Sequence, residues 1–370
     1  MKILVIISLS IAFVCVNCLL CSCAKDDPIS QVSRKVNTVP VSVDYKKFDF
    51  GQMAAIGSYA IEDTLWNTDR TRITGFNLSH AADRWFLYPH QQGDVYPITG
   101  ALVSSKSLDS LYAEKNLLPV NSRRIPRFAL NAYDQSYVLQ DFLLPDFKTQ
   151  EQHIHTFLQR AGDLRYYSHR DYIYSFYDYE NLKLLFGRDV DIKKLFQIKS
   201  SNYPNLSGEG LLYYAFNWTL RFRSTFMERD YTDYVPLENV LAENFSRINF
   251  VDYGKIALMA VDGEAAMVKL AVLKISKNID LSFPERDAIS KAIVHFYFYG
   301  HSDLELEKFN KAEDNYNKIV VYIQLSIDVE KLKFDENSYG RPIQFELSTH
   351  SANNDQFRKT KYLNSLKFSQ

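Results

Sequence analysis

The sequence predicts an α+β protein built on one large antiparallel sheet. Three observations carry that prediction: long alternating apolar stretches in the second half, segments between them that could pack as helices, and a secretory leader that leaves the body free of other apolar runs. The chain has 370 residues, 46% hydrophobic and 24% charged, enough to bury a sizeable core. Its formal net charge is -1, without a polybasic or polyacidic block, so nucleic acid is not an expected partner.

The leader comes first. Lys2 precedes an apolar run from Ile3 to Leu20 and then LCSCAKDD, which predicts a signal peptide over 1–22. Leu20-Cys21-Ser22-Cys23 resembles a bacterial lipobox, in which a small residue precedes a cysteine that is diacylated and becomes the new N-terminus. Ser22 makes Cys23 the expected lipidation site, whereas Leu20 fits poorly before Cys21; an ordinary secretory peptide is the alternative. AKDD after Cys23 resembles the acidic tag of lipoproteins sent to the outer face of a Gram-negative outer membrane. The expected location is therefore an outer membrane lipoprotein, cell-surface exposed or secreted. Cys15, Cys18, Cys21 and Cys23 are all the cysteines, so a mature chain keeping only Cys23 has no disulfide, thiolate catalysis or cysteine metal site. No other run approaches the roughly 20 apolar residues of a spanning helix. Residues 23–45 are polar and aperiodic and read as a tether, and 46–370 as the folded body.

Within the body no fixed repeat emerges, which argues against a solenoid or propeller. In LLYYAFNWTLRFR, Leu212, Tyr214, Phe216, Trp218, Leu220 and Phe222 alternate with Asn217, Thr219, Arg221 and Arg223, predicting a long strand with one buried face. Further strands are expected over Phe250–Val261, over Ala292–Tyr299 and in KIVVYIQLSIDV. Two segments between them support two structures. In GRDVDIKKLFQIKSS, Val190, Ile192, Phe196 and Ile198 alternate with charged and polar residues, over a length near the 9–11 residues of a membrane-crossing strand. In LKISKNIDLSF, Leu273, Ile275, Ile279, Leu281 and Phe283 do the same, although GEAAMVKLAVLK just before is a good helix by composition. Any half-buried surface strand or helix gives the same pattern, so both readings stay open.

Catalytic constellations are missing. His153 and His155 could share a strand face and hold a metal, but no nearby cysteine or carboxylate completes a ligand set, and a solvated loop pair is expected. There is no nucleophile elbow, P-loop, dinucleotide fingerprint or zincin motif, and neither enzyme activity nor a cofactor is expected. The cluster Tyr166, Tyr167, Tyr172, Tyr174, Phe176 and Tyr177 reads as core packing, with a sugar- or lipid-contacting surface as the alternative.

Taken in order, the motifs resemble the thiol-activated, or cholesterol-dependent, cytolysins of the membrane-attack-complex/perforin superfamily. VYPITGALVSSKSLDSL, Val95 to Leu111, looks like the family's Tyr-Pro-Gly-Ala-Leu segment with Ile98 and Thr99 added. RRIPRFALNAYD follows; LKLLFGRDVDIKKLFQIKSS and LLYYAFNWTLRF resemble the first transmembrane hairpin region and the strand after it. FVDYGKIALMAV resembles the Ser-x-x-Tyr-Gly-Arg strand through Tyr253 and Gly254, with Lys255 for the arginine. FYFYGHSD resembles the strand that ends in a Gly-Gly pair, here reduced to Gly300, and YGRPIQFELSTHSANN the Pro-Ile-Ser-Tyr-Thr segment. The resemblance covers about Gly93 to the C-terminus.

The resemblance implies a bent antiparallel sheet flanked by helical clusters, with an elongated β connector and a hinge at Gly300. It implies that segments at about 181–210 and 263–293 convert from helix to membrane-crossing hairpins in a homo-oligomeric β-barrel pore, or in a hetero-oligomer with a longer homologue that recognises the target. Val190, Ile192, Phe196, Ile198, Leu273, Ile275, Ile279, Leu281 and Phe283 would then face membrane lipid. The sequence stops near where the family's C-terminal β-sandwich would start, so the resemblance predicts no such sandwich and no cholesterol site of the usual kind. A non-lytic cell-surface binding lipoprotein on the same scaffold is the alternative. The stretch FVDYGKIALMAV is expected to be a central strand with Ile256, Leu258 and Ala260 on one face and Ala257, Met259 and Val261 on the other, while Asp252 and Lys255 emerge from cover.

Overall fold

The computed structural model describes residues 58–81, 84–86, 100–102, 128–133, 136–139, 147–176, 178–186, 190–198, 209–224, 245–349 and 364–367. The signal peptide, Cys23 and the tether lie outside these residues, as do Asp189 and Tyr177. The alternating stretch Leu211–Arg223 forms strand β9, Gly210–Ser224, and the tyrosine-glycine stretch forms β10, Phe245–Asp262. These two antiparallel strands are the axis of a nine-stranded sheet in the order β3 (Arg84–Phe86), β13 (Arg341–Thr349), β10, β9, β5 (Phe128–Asn131), β6 (Ser136–Leu139). Strands β4 (Gly100–Leu102) and β11 (Ile293–Tyr299) add to β10, and β8 (Ser168–Phe176) adds to β9. A separate three-stranded sheet of β1 (Ser58–Trp66), β2 (Ile73–Ala81) and β14 (Asn364–Lys367), and a short pair of β7 (Leu164–Arg165) and β12 (Lys333–Phe334), complete the strands among the described residues.

Both axial strands change outer partner at one level. Strand β10 pairs with β13 from Ser246↔Thr349 to Gly254↔Arg341, and then with β11 from Ile256↔Tyr299 to Asp262↔Ile293. Strand β9 pairs with β8 up to Trp218↔Ser168, and with β5 from Arg221↔Asn131. Between these levels the β9–β10 ladder skips Thr219, because Tyr253 faces Leu220 and Gly254 faces Trp218. Such a bulge turns the side-chain phase of a strand. Val251 and Tyr253 on one side of it, and Ile256, Leu258 and Ala260 on the other, consequently join the same core cluster.

Beyond the bulge both faces of β10 are covered, as its residue pattern predicts. Ile256, Leu258 and Ala260 pack with Leu212, Tyr214 and Phe216 on one face; Ala257, Met259 and Val261 pack with Leu211 and Tyr213 on the other. The prediction of one buried face for β9 is corrected: Asn217 and Thr219 have no exposed surface, because a bulged junction and a second helical layer cover the polar side. Helix α1, Phe147–Ala161, supplies Ile154, Phe157 and Leu158 to the first cluster, followed by the short helices α2, Lys183–Phe186, and α3, Ile192–Leu195. Helices α4, Ala265–Ser276, α5, Phe283–Lys291, and α7, Asn315–Ser326, cover the opposite face; α6, Asp303–Lys311, lies between α5 and α7 in sequence.

The fourth strand expected in KIVVYIQLSIDV is helix α7. Its β-branched residues suit a strand, but Asp314 accepts from the amide of Asn317 and caps a helix whose Ile319, Tyr322, Ile323 and Ser326 recur at i, i+3, i+4 and i+7 on the buried face. The fourth long strand of the second half is β13. His153 and His155 lie on α1 and not in a loop, and among the described residues no group of three or more histidines, cysteines or acids could hold a metal. No described helix is long and apolar enough to cross a membrane.

Candidate functional site: the strand junction and its two helical segments

Gly254 sits at the partner switch of β10, and two further glycines, Gly300 and Gly340, converge on it. A Cβ on Gly254 would stand 2.0 Å from the carbonyl oxygen of Asn217; one on Gly300 would stand 2.3 Å, and one on Gly340 2.1 Å, from the carbonyl oxygen of Gly254 itself. Gly300 and Gly340 also hold positive φ, 81° and 86°, which side chains disfavour. The buried hydroxyl of Thr219 donates to the carbonyls of Tyr253 and Tyr339, and Tyr299 donates to the carbonyl of Pro342 at 3.0 Å. Tyr253 is fully buried and receives the side-chain amide of Gln150; burial and the nearby Glu151 push its pKa well above the ordinary tyrosine value.

Asp252 and Lys255 do not emerge from cover: each is 1% exposed. Asp252 accepts both arms of Arg221, at 2.7 and 3.0 Å, and the amide of Gln344. Lys255 pairs with Glu305 of α6 and lies 5.7 Å from the ring centre of Tyr166. Burial works to raise the pKa of Glu305, but the charge and hydrogen bond of Lys255 outweigh it and the net direction is down. A strand interior tolerates these charges because each is paired.

On either side of the junction two neighbouring strand pairs are joined by helical segments. The first runs from the end of β8 at Phe176 to the start of β9 at Gly210. Asp178 closes a capping box over the 3-10 turn Tyr179–Leu182, and Asp191 caps α3. Val190 is half-buried against the first cluster, while Ile192, Phe196 and Ile198 are buried in it; Tyr59 of β1 donates to the carbonyl of Leu184 at 2.8 Å. The second segment runs from Asp262 of β10 to Ile293 of β11 and sits on the opposite face. Its Lys274 pairs with Glu285 at 2.7 Å, tying α4 to α5. Leu281 is buried and Ile275 half-buried there, but Leu273 (49%), Ile279 (51%) and Phe283 (83%) are exposed. Among the described residues alternation does not survive as a strand in either segment, because caps at Asp191 and Ser282 start helices inside both.

The tyrosine cluster divides. Tyr166 and Phe176 are core, while Tyr172 and Tyr174 stack on each other and lean on Tyr214 from the edge strand β8. Gly300 belongs to the junction, and so does Thr219, which the sequence places only on the polar face of β9; Gly340, His301 and Glu305 have no role in the sequence reading. Ser302 and Glu305 form a capping box, and Ser-x-x-Glu is a sequence signal that could have located them.

The fold built on this sheet, with a helical segment between neighbouring strands on each face, is similar to that of solved cytolysins. Wild-type pneumolysin matches with a TM-score of 0.53 and 13% identity over 83% of this chain and 69% of its own. The cytotoxin suilysin from Streptococcus suis matches at 0.51 and 13% over 81% and 67%, and a Gram-negative toxin at 0.51 and 12% over 82% and 69%. The likeness is one of fold. No protein-family model matches the sequence, and a search of curated proteins finds no match.

Proposed function

We propose that the chain is a surface lipoprotein, lipidated at Cys23 and carried to the outer membrane, whose subunits assemble into a transmembrane β-barrel pore. Assembly is by copies of this chain, alone or with a longer homologue that supplies target recognition. No enzymatic step is part of this reading.

The strand registers carry the proposal. Continued past Phe176↔Gly210, the β8–β9 ladder brings Asp191 opposite Leu195 across the loop Ile192-Lys193-Lys194. One side of that hairpin holds Leu182, Leu184, Phe186, Val190, Phe196 and Ile198, interrupted by Arg188; the other holds Asn181, Lys183, Asp189, Asp191, Gln197 and Lys199, with Leu185 among them. Continued past Asp262↔Ile293, the β10–β11 ladder brings Ser276 opposite Ile279 across Lys277-Asn278, a two-residue loop. Asn278 already has a φ of 55°, the positive sign that tight hairpin loops need. One side then holds Val268, Leu270, Val272, Ile279, Leu281 and Phe283, interrupted by Lys274 and Glu285; the other holds Lys269, Asp280, Ser282 and Arg286. This register moves Leu273 and Ile275 away from the side of Ile279, and puts Ile192 in a loop.

Both apolar sides extend the same sheet face, that of Leu212, Tyr214, Leu258 and Ala260. A barrel needs one lipid-facing surface shared by all its strands, and two unrelated segments agree on it. Among the described residues β8 and β11 each pair on one side only, leaving edges for a neighbouring subunit. Agreement of the two registers favours a pore over a non-lytic binding scaffold.

Liposome leakage tests the reading with the full-length lipoprotein, with and without a longer homologue and after limited proteolysis. Leakage with an SDS-resistant oligomer is expected in at least one arm; neither in any arm overturns the pore. Cys23→Ser should release the protein from membranes, and persistent anchoring overturns the lipidation site.

A further inference from the structure

We propose that His301 is an acid-sensing latch: a proton on its ring breaks the Lys255–Glu305 pair that holds α6 against the strand junction. His301 directly follows Gly300 in the link from β11 to α6. Both ring nitrogens are buried and neither makes a hydrogen bond of good geometry among the described residues, although the backbone of Tyr299 and of Leu325 stands close enough to favour a proton on the ring, against the larger effects of burial and Lys255. The ring stands edge-on to Phe298, with centroids 5.3 Å apart. The charged groups that face it are Lys255 from β10 and Glu305 from α6; the carbonyls of Tyr299 and of Leu325 in α7 also face it, and Tyr166 lies on the far side of Lys255.

Helix α6 is lightly held. It has no buried residue, and Leu304 in its first turn is 80% exposed. What fastens it is Phe309, set between Phe296 and Phe298 at 4.9 and 4.8 Å, and Glu305, which closes the Ser302 capping box and meets Lys255. A second cation at His301 leaves one carboxylate to balance two buried positive charges. An unbalanced buried charge is costly, and the molecule escapes that cost by letting α6 swing out, so that the imidazolium reaches water.

The direction with pH follows from the ring's surroundings. Burial first, and the charge of Lys255 second, lower the pKa of His301 from 6.5 to about 4 in the closed form. The open form therefore binds the proton more tightly. Closure is little affected above about pH 7, is halved near pH 6.5 and weakens further as pH falls towards 4; at pH 5 the closed-to-open ratio drops by about 30-fold relative to pH 8.

Hydrogen exchange on the full chain, corrected for intrinsic rates, reads this at the amides of residues 299–311. Protection in the native protein should fall about 30-fold between pH 8 and pH 5, whereas His301→Phe, an apolar ring that takes no proton, should hold it constant. Should that variant fail to fold, His301→Gln serves the same purpose. Flat protection in the native protein, or a variant that follows the native profile, overturns the latch. No membrane enters the measurement, so a failed leakage assay sinks the pore and leaves this result standing.

Discussion

Asn315, the first residue of α7, donates its side-chain amide to the carbonyls of Ile289 at 3.1 Å and Ala292 at 2.9 Å. These are carbonyls of the kind that a helix end leaves without an internal partner, and they close α5 just before β11 begins. One side chain thus fastens the last turn of the second helical segment to a helix outside it. Asn315→Leu removes both bonds and leaves the acceptors covered by an apolar group, at an expected cost of about 1–3 kcal/mol. Urea unfolding should show that loss, and exchange at 283–292 should rise ahead of the rest of the sheet; uniform loosening of the whole chain would argue against a local fastening.

A side chain at Gly340 meets backbone. Its Cβ would approach the Gly254 carbonyl oxygen to 2.1 Å, and neither backbone can retreat without moving β10 or β13. Gly162 is the control, since its φ is also positive, 71°, but nothing lies within 4 Å of a Cβ there. Gly162→Ala should cost about 1–2 kcal/mol, the strain of a left-handed residue. Gly340→Ala should lose clearly more or give no folded protein. Equal urea midpoints for the two variants would mean that the junction is looser than its contacts.

The contrast shows how much was legible in the sequence. Strand β10 was readable because both its faces are apolar over Ile256–Val261, and β11 because its apolar, aromatic run is short and bounded by Gly300. Helix α7 was misread since Val, Ile and Tyr suit a strand, and only the Asp314 cap and the spacing of Ile319, Tyr322 and Ile323 mark it as a helix. Lys255 was misplaced at the surface because a sequence shows a charge and not its partner: Glu305 is 50 residues away. Gly254 was visible as a motif, but its crowding by Gly300 and Gly340 arises from three strands meeting, which no local pattern encodes.

Glu285 ties the second segment through charge. Its carboxylate takes a hydrogen bond from Lys274, and another from the backbone of Ser282, which lower its pKa from 4.5 to about 2. A depressed carboxylate stabilises the folded form fully above pH 4.5, and that contribution disappears as pH falls towards 2. Glu285→Gln should therefore be less stable than the native protein at pH 6, with the difference shrinking through this window. A difference independent of pH would show that the carboxylate acts by packing alone.

Arg221 and Asp252 form the other paired charge of the junction. Asp252→Ala leaves the guanidinium, 19% exposed and 3.6 Å from the centre of the Phe250 ring, without its anion. Breaking such a pair costs about 3–5 kcal/mol, of which solvent at the partly exposed arginine should spare some. Thermal unfolding checks this against Arg221→Ala and the double variant; additive losses would show that the two groups stabilise the fold separately.

Single cysteines carrying an environment-sensitive dye, placed in a chain in which Cys15, Cys18, Cys21 and Cys23 are all replaced by serine, decide the register of the second hairpin. If the β10–β11 ladder simply lengthens, labels at Leu270, Val272, Ile279 and Leu281 enter lipid, and those at Lys269, Asp280 and Ser282 stay in water. Leu273 and Ile275 are the discriminating positions. A single continuous strand over Leu273–Phe283 would put them in lipid beside Ile279, whereas the loop at Lys277-Asn278 turns them to the aqueous side. Starting states sharpen the reading: Leu281 is 7% exposed and Leu273 49%, so a dye at Leu273 that ends in water changes little, while Leu281 exchanges protein cover for lipid. Lipid signals at Leu273 with water at Leu270 would overturn the continued register, and equal signals on both sides would reject insertion of this segment altogether.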